Sequence, residues 1–285
     1  MMLKEVLQQH EIIIALGAYD TVSAQIIEKA GFPVTYIGGL GNEASDIGYP
    51  DIGLTTSTEI VRRAWNIVQR VRVPVVCDAD TGFGGALNLY RTIRMFESVG
   101  VGGIHIEDQT FPKRCGVLAG KRVIPAVDFA KKIRAAVDAR RSEDFLIIAR
   151  TDAKSTFGVD EVIKRLNLYI ENGADMGMLG DFYSLEEYKR IVKSVNAPIV
   201  AVASCHGLFS RQPDISVDDW KTVGVKMVVY WHLTLFAAMK AVTKAVQMFK
   251  ESGATEQMKD DLFAYSDYEE VMELSKWLGI DEKYG

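Results

Sequence analysis

Acidic side chains and one arginine stand at the ends of short apolar runs, where they would share one site. Asp78 and Asp80 close one run, Glu107 closes the next, Arg150 ends another, and Asp51 follows a glycine-rich stretch. Residues two apart on a strand point to the same side, so Asp78 and Asp80 are expected to face one mouth. The sequence therefore predicts a cluster of carboxylates beside a single arginine.

Carboxylates that lie close together repel one another unless some are protonated or a cation lies among them. This set offers oxygen donors without His or Cys at metal spacing, which favours a hard ion such as Mg²⁺, for which Mn²⁺ can substitute. A divalent cation with Arg150 beside it is suited to stabilise the negative charge of an enolate. The alternative interpretation is that these acids are helix N-caps or ion-pair partners.

The chain contains eight strand-like runs, each followed by an amphipathic stretch of helical period. The acidic residues and Arg150 stand at the ends of several of these runs. Strands that are buried on both faces and joined through helices must be parallel, and eight such units favour a (β/α)₈ TIM barrel. Catalytic groups of such a barrel lie at the C-terminal ends of its strands. The alternative, a doubly wound sheet, lacks its glycine-rich fingerprint after the first run. The predicted strands are 12–15, 34–37, 73–77, 103–106, 145–149, 176–179, 199–203 and 227–230.

Length, composition and charge limit the class of protein. With 285 residues, 48% of them hydrophobic, the chain is expected to form one barrel domain over 1–285, with 235–285 as a C-terminal helical extension. The net charge of −5 without a basic stripe argues against nucleic-acid binding. The apolar run 12–14 is too short for a membrane span or a secretion signal, so a cytoplasmic protein without a membrane partner is predicted. Three scattered cysteines predict no disulfide framework.

Six short motifs, in one order along the chain, resemble those of the isocitrate lyase and phosphoenolpyruvate mutase superfamily. They are GAYD at 17–20, GYPD at 48–51, DADTG at 78–82, IEDQ at 106–109, KRCG at 113–116 and ARTDA at 149–153. The resemblance implies a barrel with a helix swapped between subunits and a homotetramer built as a dimer of dimers. It also implies an enzyme that makes or breaks a bond next to a 2-oxo acid enolate, with Mg²⁺ held by Asp51, Asp78, Asp80 and Glu107.

Cys115 indicates the lyase branch, because the matching cysteine there lies on a gating loop and protonates the departing enolate. Lys113 and Arg114 beside it are expected to lower its pKa towards a range useful for proton transfer, and Lys113 is a candidate to enter the site itself. Tyr36 is a candidate accessory acid or base. The alternative for Cys115 is a bystander thiol in a mobile loop. Cys77 is expected to lie in the core, as free cysteines usually do.

The glycine-rich loop after the second strand is a candidate carboxylate site. A chain without bulky side chains permits close approach, so the backbone N–H groups of Gly38, Gly39 and Leu40 are predicted to bind a substrate carboxylate. Asp51 and Arg150 are predicted to contact the substrate beside it. The alternative for the loop is a flexible turn, which is a common use of glycine.

Several positions depart from the lyase pattern, in which they carry polar side chains that would hydrogen-bond the distal part of a 2-methylisocitrate-like substrate. That specific activity is therefore not expected. His206 and His232 follow the seventh and eighth strands and are candidate replacements, with ordinary loop histidines as the alternative. The departures are Gly38, Val117, Gly180, Val202 and Cys205.

These observations support three functional hypotheses. The first is a Mg²⁺-dependent lyase that cleaves a C–C bond in a small 2-hydroxy or 2-oxo di- or tricarboxylate, with Arg150 stabilising the enolate and Cys115 protonating it. The second keeps the metal site but changes the reaction to oxaloacetate decarboxylation or hydrolysis, or to P–C chemistry on a phosphonate. The third is a barrel that binds a carboxylate without turning it over.

Overall fold

A closed barrel of eight parallel strands forms the larger of two compact units, Met1–Leu233. The computed structural model describes residues 2–204 and 214–285. The strands pair in chain order, and Ile13 of the first strand pairs with Met227 of the last to close the ring. This closure confirms the predicted (β/α)₈ barrel and excludes the open doubly wound sheet. The strands are β1 (Ile13–Gly17), β2 (Thr35–Ile37), β3 (Val75–Asp78), β4 (Gly103–Glu107), β5 (Leu146–Thr151), β6 (Met176–Leu179), β7 (Ile199–Val202) and β8 (Met227–Tyr230).

Helices connect successive strands, as the alternating sequence patterns predict. Asp20, which belongs to the first of the six motifs, accepts a hydrogen bond from the Ser23 backbone N–H at 2.7 Å and so caps the second helix. A motif residue therefore has a structural role here. The helices of this unit are α1 (Leu3–Gln9), α2 (Thr21–Lys29), α3 (Gly39–Asn42) with a π-helical turn at Glu43–Ile47, α4 (Ser57–Val68), α5 (Ala86–Ser98), α6 (Ala126–Ala139), α7 (Lys154–Glu171), α8 (Leu185–Ser194) and α9 (Val217–Val223).

The core has two layers, one inside the barrel and one between the strands and the helices. Val76 of β3 belongs to the inner layer and Cys77 to the outer layer. Leu3 of α1 also belongs to the inner layer and approaches Gly103 at the start of β4. Burying one aliphatic side chain contributes about 1.5–3 kcal/mol to the stability of the fold. A slip of one residue would exchange the two faces of β3, so burial in the two layers fixes its register. Alternation then points Asp78 into the barrel mouth.

The second unit, Thr234–Gly285, is helical in its regular structure. Its long helix exposes Met239, Val242, Val246 and Phe249, which recur at three- and four-residue steps on one face. An exposed apolar stripe of this kind is typical of an interaction surface. Nowhere in the described part of the chain is a helix both long enough and apolar enough to cross a membrane. The helices are α10 (Leu233–Ser252), a 3₁₀ turn at Glu256–Met258, α11 (Tyr265–Val271) and α12 (Leu274–Tyr284).

Candidate active site

The acidic cluster lies at the C-terminal mouth of the barrel. Asp78 ends β3 and Glu107 ends β4, and both residues are buried, with exposed fractions of 4% and 0%. Asp80 lies beyond the strand in a turn with a φ angle of 45°, and its backbone N–H donates to Asp78 Oδ1 at 2.8 Å. The turn, rather than strand alternation, therefore brings Asp80 beside Asp78.

The Lys113 ammonium lies inside this acidic cluster. It contacts Asp51 and is 2.8 Å from Asp80 Oδ1, and its side chain is buried. The Gly39 backbone lies against the same groups, since its N–H donates to Asp78 Oδ2 at 3.1 Å and a Cβ at Gly39 would come within 3.0 Å of Lys113 Nζ. Glycine permits this close approach without displacing the Lys113 ammonium or the acids. Gly39 and Leu40 lie in the short helix α3 rather than in the predicted loop. Binding of a substrate carboxylate by their backbone N–H groups stays a prediction.

Burial and mutual repulsion shift the pKa values of the acids. Burial raises the pKa of Asp80 to about 7, with Lys113 acting against the shift and Asp78 adding to it. Burial also raises the pKa of Glu107 well above its usual range, although Arg150 opposes this. A cation among these oxygens would favour their ionised forms.

The donor set fits a hard divalent cation in charge and in atom type. The four predicted metal ligands face two basic groups, Lys113 and Arg150, which leaves an excess of two negative charges when all are ionised. Glu107 Oε1 is buried and has no hydrogen-bond partner among the described residues. Within 2–204 and 214–285, no three His, Cys, Asp or Glu side chains are grouped to hold an ion alone. An ion here would complete its coordination with water or substrate oxygens, as Mg²⁺ usually does.

Arg150 links the acidic cluster to a second ion pair. Its Nη2 lies 3.1 Å from Glu107 Oε2, while its Nε and Nη2 donate to the two carboxylate oxygens of Asp152 at 2.9 and 3.1 Å. Burial opposes the ionisation of Asp152, but Arg150 and Lys121 hold the pKa of Asp152 well below its usual range. The paired hydrogen bonds fix the guanidinium beside the cavity, where it can meet a developing negative charge.

Gly180, one of the departures from the lyase pattern, is required by this ion pair. A Cβ at Gly180 would lie 2.5 Å from both carboxylate oxygens of Asp152 and 2.6 Å from Arg150 Nε. The Arg150–Asp152 pair therefore occupies the space that a glutamate side chain would need at this position.

Replacing Gly180 by alanine should separate Arg150 from Asp152. We expect kcat/KM to fall about a hundredfold, because a shift of about 1 Å in a positioning group is enough for such a loss. Overpacking should also lower the free energy of unfolding by about 1–3 kcal/mol in chemical denaturation. Gly85→Ala is the matched control, since a Cβ at Gly85 meets open space. An unchanged kcat/KM for Gly180→Ala would contradict the role given to the pair.

Cys115 lies on residues 110–125, which join β4 to α6 and are called the Cys115 loop below. The base of this loop is closed by two backbone hydrogen bonds, from Thr110 N–H to the Arg122 carbonyl at 2.8 Å and from Ile124 N–H to the Asp108 carbonyl at 2.9 Å. The Cys115 N–H donates to the Asp51 carbonyl at 3.1 Å, and the residue is buried at the cavity wall. The loop therefore brings the thiol to the acidic cluster.

The expected fall in the pKa of Cys115 was wrong. Burial and the neighbouring Asp51 carboxylate raise the pKa of this thiol to about 12. Lys113 lowers this pKa by less than Asp51 raises it, and its ammonium is held by the acids of the cluster. Arg114 Nη1 donates to the Ala119 carbonyl at 2.8 Å. The thiol is thus kept protonated, which suits a proton donor better than a nucleophile.

Tyr36 lines the cavity and contacts His105, a residue that sequence reasoning missed. The Tyr36 hydroxyl and His105 Nε2 are 2.7 Å apart, and His105 Nδ1 lies 3.6 Å from Asp78 Oδ1. Burial lowers the pKa of His105 to about 4 and raises the pKa of Tyr36, so both groups are neutral at pH 7. His105 precedes Glu107 by two residues on β4, so strand alternation could have indicated that its side chain points to the same side as Glu107. A Cβ at Gly38 would come 2.9 Å from the Tyr36 ring.

A small cavity of about 40 Å³ is bounded by these groups. Its polar lining includes Asp51, Asp78 and Arg150. Its apolar lining includes Val117 and Val202, two positions that depart from the lyase pattern. The complete apolar lining comprises Leu40, Val117, Phe182, Val202 and Trp231.

His232 is the candidate histidine that the described part of the chain contains. His232 is buried and does not appear among the lining residues, and burial lowers its pKa to about 4. It therefore fits an ordinary structural histidine. His206 and Cys205 lie outside the described residues.

Lys121 is another residue of the site whose role the sequence did not indicate. Its ammonium donates to Asp152 Oδ1 at 3.0 Å and to Asp181 Oδ1 at 2.6 Å. These partners are 31 and 60 residues away along the chain, so no local pattern signals the contact. Asp152 was recognised only as part of a motif, and its bond to Arg150 depends on the same three-dimensional arrangement.

The chain is similar to known proteins over nearly its whole length. The phosphoenolpyruvate phosphomutase family model matches residues 3–250. A 2,3-dimethylmalate lyase of Eubacterium barkeri is 36% identical over 99% of this chain and 96% of its own length, and a 2-methylisocitrate lyase of Aeropyrum pernix is 38% identical over 94% and 88%. The solved structure of an oxaloacetate acetylhydrolase with the inhibitor 3,3-difluorooxalacetate has a TM-score of 0.92 and 31% identity, over 99% of this chain and 95% of its own.

Proposed function

We propose, from the premise that this chain belongs to the phosphoenolpyruvate phosphomutase family within the isocitrate lyase and phosphoenolpyruvate mutase superfamily, that it is a lyase cleaving a C–C bond in a small 2-hydroxy dicarboxylate. Superfamily members act as lyases, mutases or hydrolases on carboxylate substrates. The single observation that carries the choice of lyase is that the Cys115 thiol lines the same cavity as Arg150 and the acidic cluster.

In this proposal, the bond beside the hydroxyl-bearing carbon breaks. The hydroxyl proton passes to a carboxylate of the cluster, the hydroxyl-bearing carbon becomes the carbonyl of a 2-oxo acid, and the bonding electrons move to the neighbouring carbon. The neighbouring carboxylate then carries enolate charge, which the Arg150 guanidinium is placed to stabilise. Cys115 donates its thiol proton to the carbon and completes the second product. Tyr36, as a neutral phenol, serves as a hydrogen-bond donor rather than a base.

Magnesium is part of the same proposal. Members of the superfamily are typically Mg²⁺-dependent, and Asp51, Asp78, Asp80 and Glu107 would hold the ion. When bound, it would supply Lewis-acid stabilisation of the substrate oxygens.

The substrate class follows from the lining of the cavity. Val117 and Val202 offer no hydrogen bond to a third carboxylate, and burying a charge without a partner is costly. We therefore favour a dicarboxylate with hydrogen or alkyl substituents over a 2-methylisocitrate-like tricarboxylate.

A substrate panel tests the proposal. The protein with Mg²⁺ is incubated with malate, 2-methylmalate, 2,3-dimethylmalate, 2-methylisocitrate, oxaloacetate and phosphonopyruvate, and the products are identified by NMR. A 2-oxo acid released from an alkyl-substituted malate supports the lyase. Products from oxaloacetate or phosphonopyruvate alone would reject it. Binding of panel members by isothermal titration without any turnover would instead support the non-catalytic barrel.

The second candidate function is hydrolysis of oxaloacetate. The chain shares its fold with an oxaloacetate acetylhydrolase at a TM-score of 0.92 and with a 2,3-dimethylmalate lyase at 0.91, so the fold does not separate the two reactions. The same panel separates them, because hydrolysis would release oxalate and acetate.

Removal of divalent metal should lower turnover about a hundredfold or more, since metal stabilisation of the charged intermediate is worth several kcal/mol. Turnover is measured after dialysis against EDTA, with metal content checked by elemental analysis, and then after addition of Mg²⁺ or Mn²⁺. Both ions should restore turnover and raise the melting temperature. Asp78→Asn should abolish the Mg²⁺-dependent rise in melting temperature. Full turnover by metal-free protein would contradict the proposal.

We further propose that the protein is a cytoplasmic homotetramer, with the stripe of Met239, Val242, Val246 and Phe249 buried between subunits. Light scattering should then give a mass about four times the 31.6 kDa of one chain. Introducing glutamate at Val242 and Val246 should reduce this mass, because unpaired charges are costly in a buried apolar contact. A monomeric mass for the unmodified protein would contradict this proposal.

A further inference from the structure

We propose that Lys121 is a positioning residue, a latch that holds the Cys115 loop closed over the site. The inference rests on the proposed function only for its catalytic consequence, since the latch itself is a property of the loop. Lys121 lies near the C-terminal end of the loop, but its ammonium reaches back to the loop tip and across to the ends of two strands.

The contacts of the ammonium come from three parts of the chain. Lys121 Nζ donates to the Gly116 carbonyl at 2.8 Å, to Asp152 Oδ1 at 3.0 Å and to Asp181 Oδ1 at 2.6 Å. Gly116 belongs to the loop tip, Asp152 follows β5, and Asp181 follows β6. One side chain can satisfy all three acceptors only when the loop tip lies against the strand ends.

A second contact shows how tightly the loop tip is seated. A Cβ at Gly116 would come 2.6 Å from the Gly180 carbonyl oxygen and 3.2 Å from Arg150 Nη2. The two glycine backbones therefore pack directly against each other. This packing places Cys115, the neighbour of Gly116, against the cavity.

The charges explain why Lys121 is needed. The Lys121 side chain is 2% exposed, and the Asp152 and Asp181 side chains are 0% and 11% exposed. Without the ammonium, two buried carboxylates would face each other across the seam between β5 and β6, and such pairs are costly. Arg150 would then be the remaining basic partner of Asp152 among these contacts. Closure of the loop and the position of Arg150 are thus coupled through one lysine.

The latch also controls access to the thiol, because Cys115 is only 7% exposed while the loop tip is seated. For the loop tip to leave the strand ends, Lys121 must release Asp152 and Asp181. Cys115 becomes accessible in the same opening.

Thiol labelling measures this opening without substrate. The full-length protein is treated with iodoacetamide, and peptide mass spectrometry follows Cys115 and Cys77 separately. Lys121→Met should raise the rate of Cys115 labelling about tenfold or more, because hydrogen bonds to a charged group are lost. Lys121→Arg should lie closer to the unmodified protein. Asp181→Asn keeps the shape of the side chain but removes one charge, so it should give a smaller rise in the rate of Cys115 labelling. This variant also provides the test if Lys121→Met does not fold.

Two controls make the result specific. Lys131→Met removes a lysine whose ion pair with Asp128 is exposed, and should leave Cys115 labelling unchanged. Cys77 is fully buried in the outer core layer and reports global unfolding. Unchanged Cys115 labelling in both Lys121→Met and Asp181→Asn would overturn the latch, and so would a parallel rise at Cys77. Faster labelling of Cys115 alone would support the latch even if no member of the substrate panel reacted.

Discussion

Replacing Arg150 by lysine is expected to lower kcat about 10²–10³-fold, the usual cost of removing one preorganised group that stabilises developing charge. Arg150 contacts Glu107 and both oxygens of Asp152 at 2.9–3.1 Å. Lysine keeps the positive charge but lacks the planar fork that makes paired hydrogen bonds. The charge would remain while its position and direction are lost. Steady-state kinetics on a reactive member of the panel measures the effect.

Arg140→Lys is the matched control for this substitution. Arg140 also pairs with a carboxylate, Asp175 at 2.6 Å, but both residues precede strands and lie at the opposite end of the barrel from the acidic cluster. Its substitution should change stability without changing kcat. If Arg150→Lys kept more than half of the original kcat while remaining folded, stabilisation of enolate charge by Arg150 would be ruled out.

The barrel and the strand-end acids could be predicted because their determinants are local. Both strands are buried at every position, and successive side chains point to opposite sides of the barrel wall. Because Cys77 and Ile106 belong to the outer core layer, Asp78 and Glu107 point into the barrel. Asp80 shows the limit of this argument. Its place beside Asp78 comes from a turn with a positive φ angle, which alternation does not describe. The predicted neighbourhood was correct, although the reason for it was not.

The electrostatic environment of Cys115 could not be predicted. The residues adjacent to a thiol in a loop need not be those whose charges dominate its pKa. Lys113 and Arg114 flank the thiol in sequence, yet one is held by acids of the cluster and the other by the Ala119 carbonyl. Burial raises the pKa of the thiol, and the Asp51 carboxylate, 64 positions earlier in the chain, adds to this rise and outweighs the opposing charge of Lys113. The direction of the pKa shift therefore depends on tertiary contacts.

The departures from the lyase pattern gain a physical meaning only in three dimensions. In the sequence, Gly180 indicates only that a side chain of the lyase pattern is missing. In the structure, its backbone adjoins the Arg150–Asp152 pair and the Gly116 backbone of the Cys115 loop. Lys121 carries no motif-based signal because its two acidic partners follow later strands, 31 and 60 residues away along the chain. Sequence reasoning therefore found the groups that hold charge but missed the groups that position them.

Replacing Cys115 by serine is expected to lower kcat about 10²–10⁴-fold, the usual contribution of a positioned general acid. Serine fills nearly the same volume, but its hydroxyl is a weaker acid than a thiol and delivers a proton to carbon less readily. The burial that raises the pKa of the Cys115 thiol to about 12 keeps the proton in place until carbanion character develops. Because Cys115 acts after the substrate is bound, KM should change only a few-fold.

Cys77→Ala separates loss of a catalytic thiol from loss of a buried cysteine. Cys77 lies one residue before Asp78 but belongs to the outer core layer, so its substitution should lower the melting temperature and leave kcat unchanged. Isothermal titration with Mg²⁺ and oxalate should show that Cys115→Ser still binds a small dicarboxylate. Loss of turnover with retained binding would favour the lyase. Full turnover by Cys115→Ser would remove this thiol from the mechanism and favour a reaction in which water or decarboxylation, rather than a protein acid, completes the product.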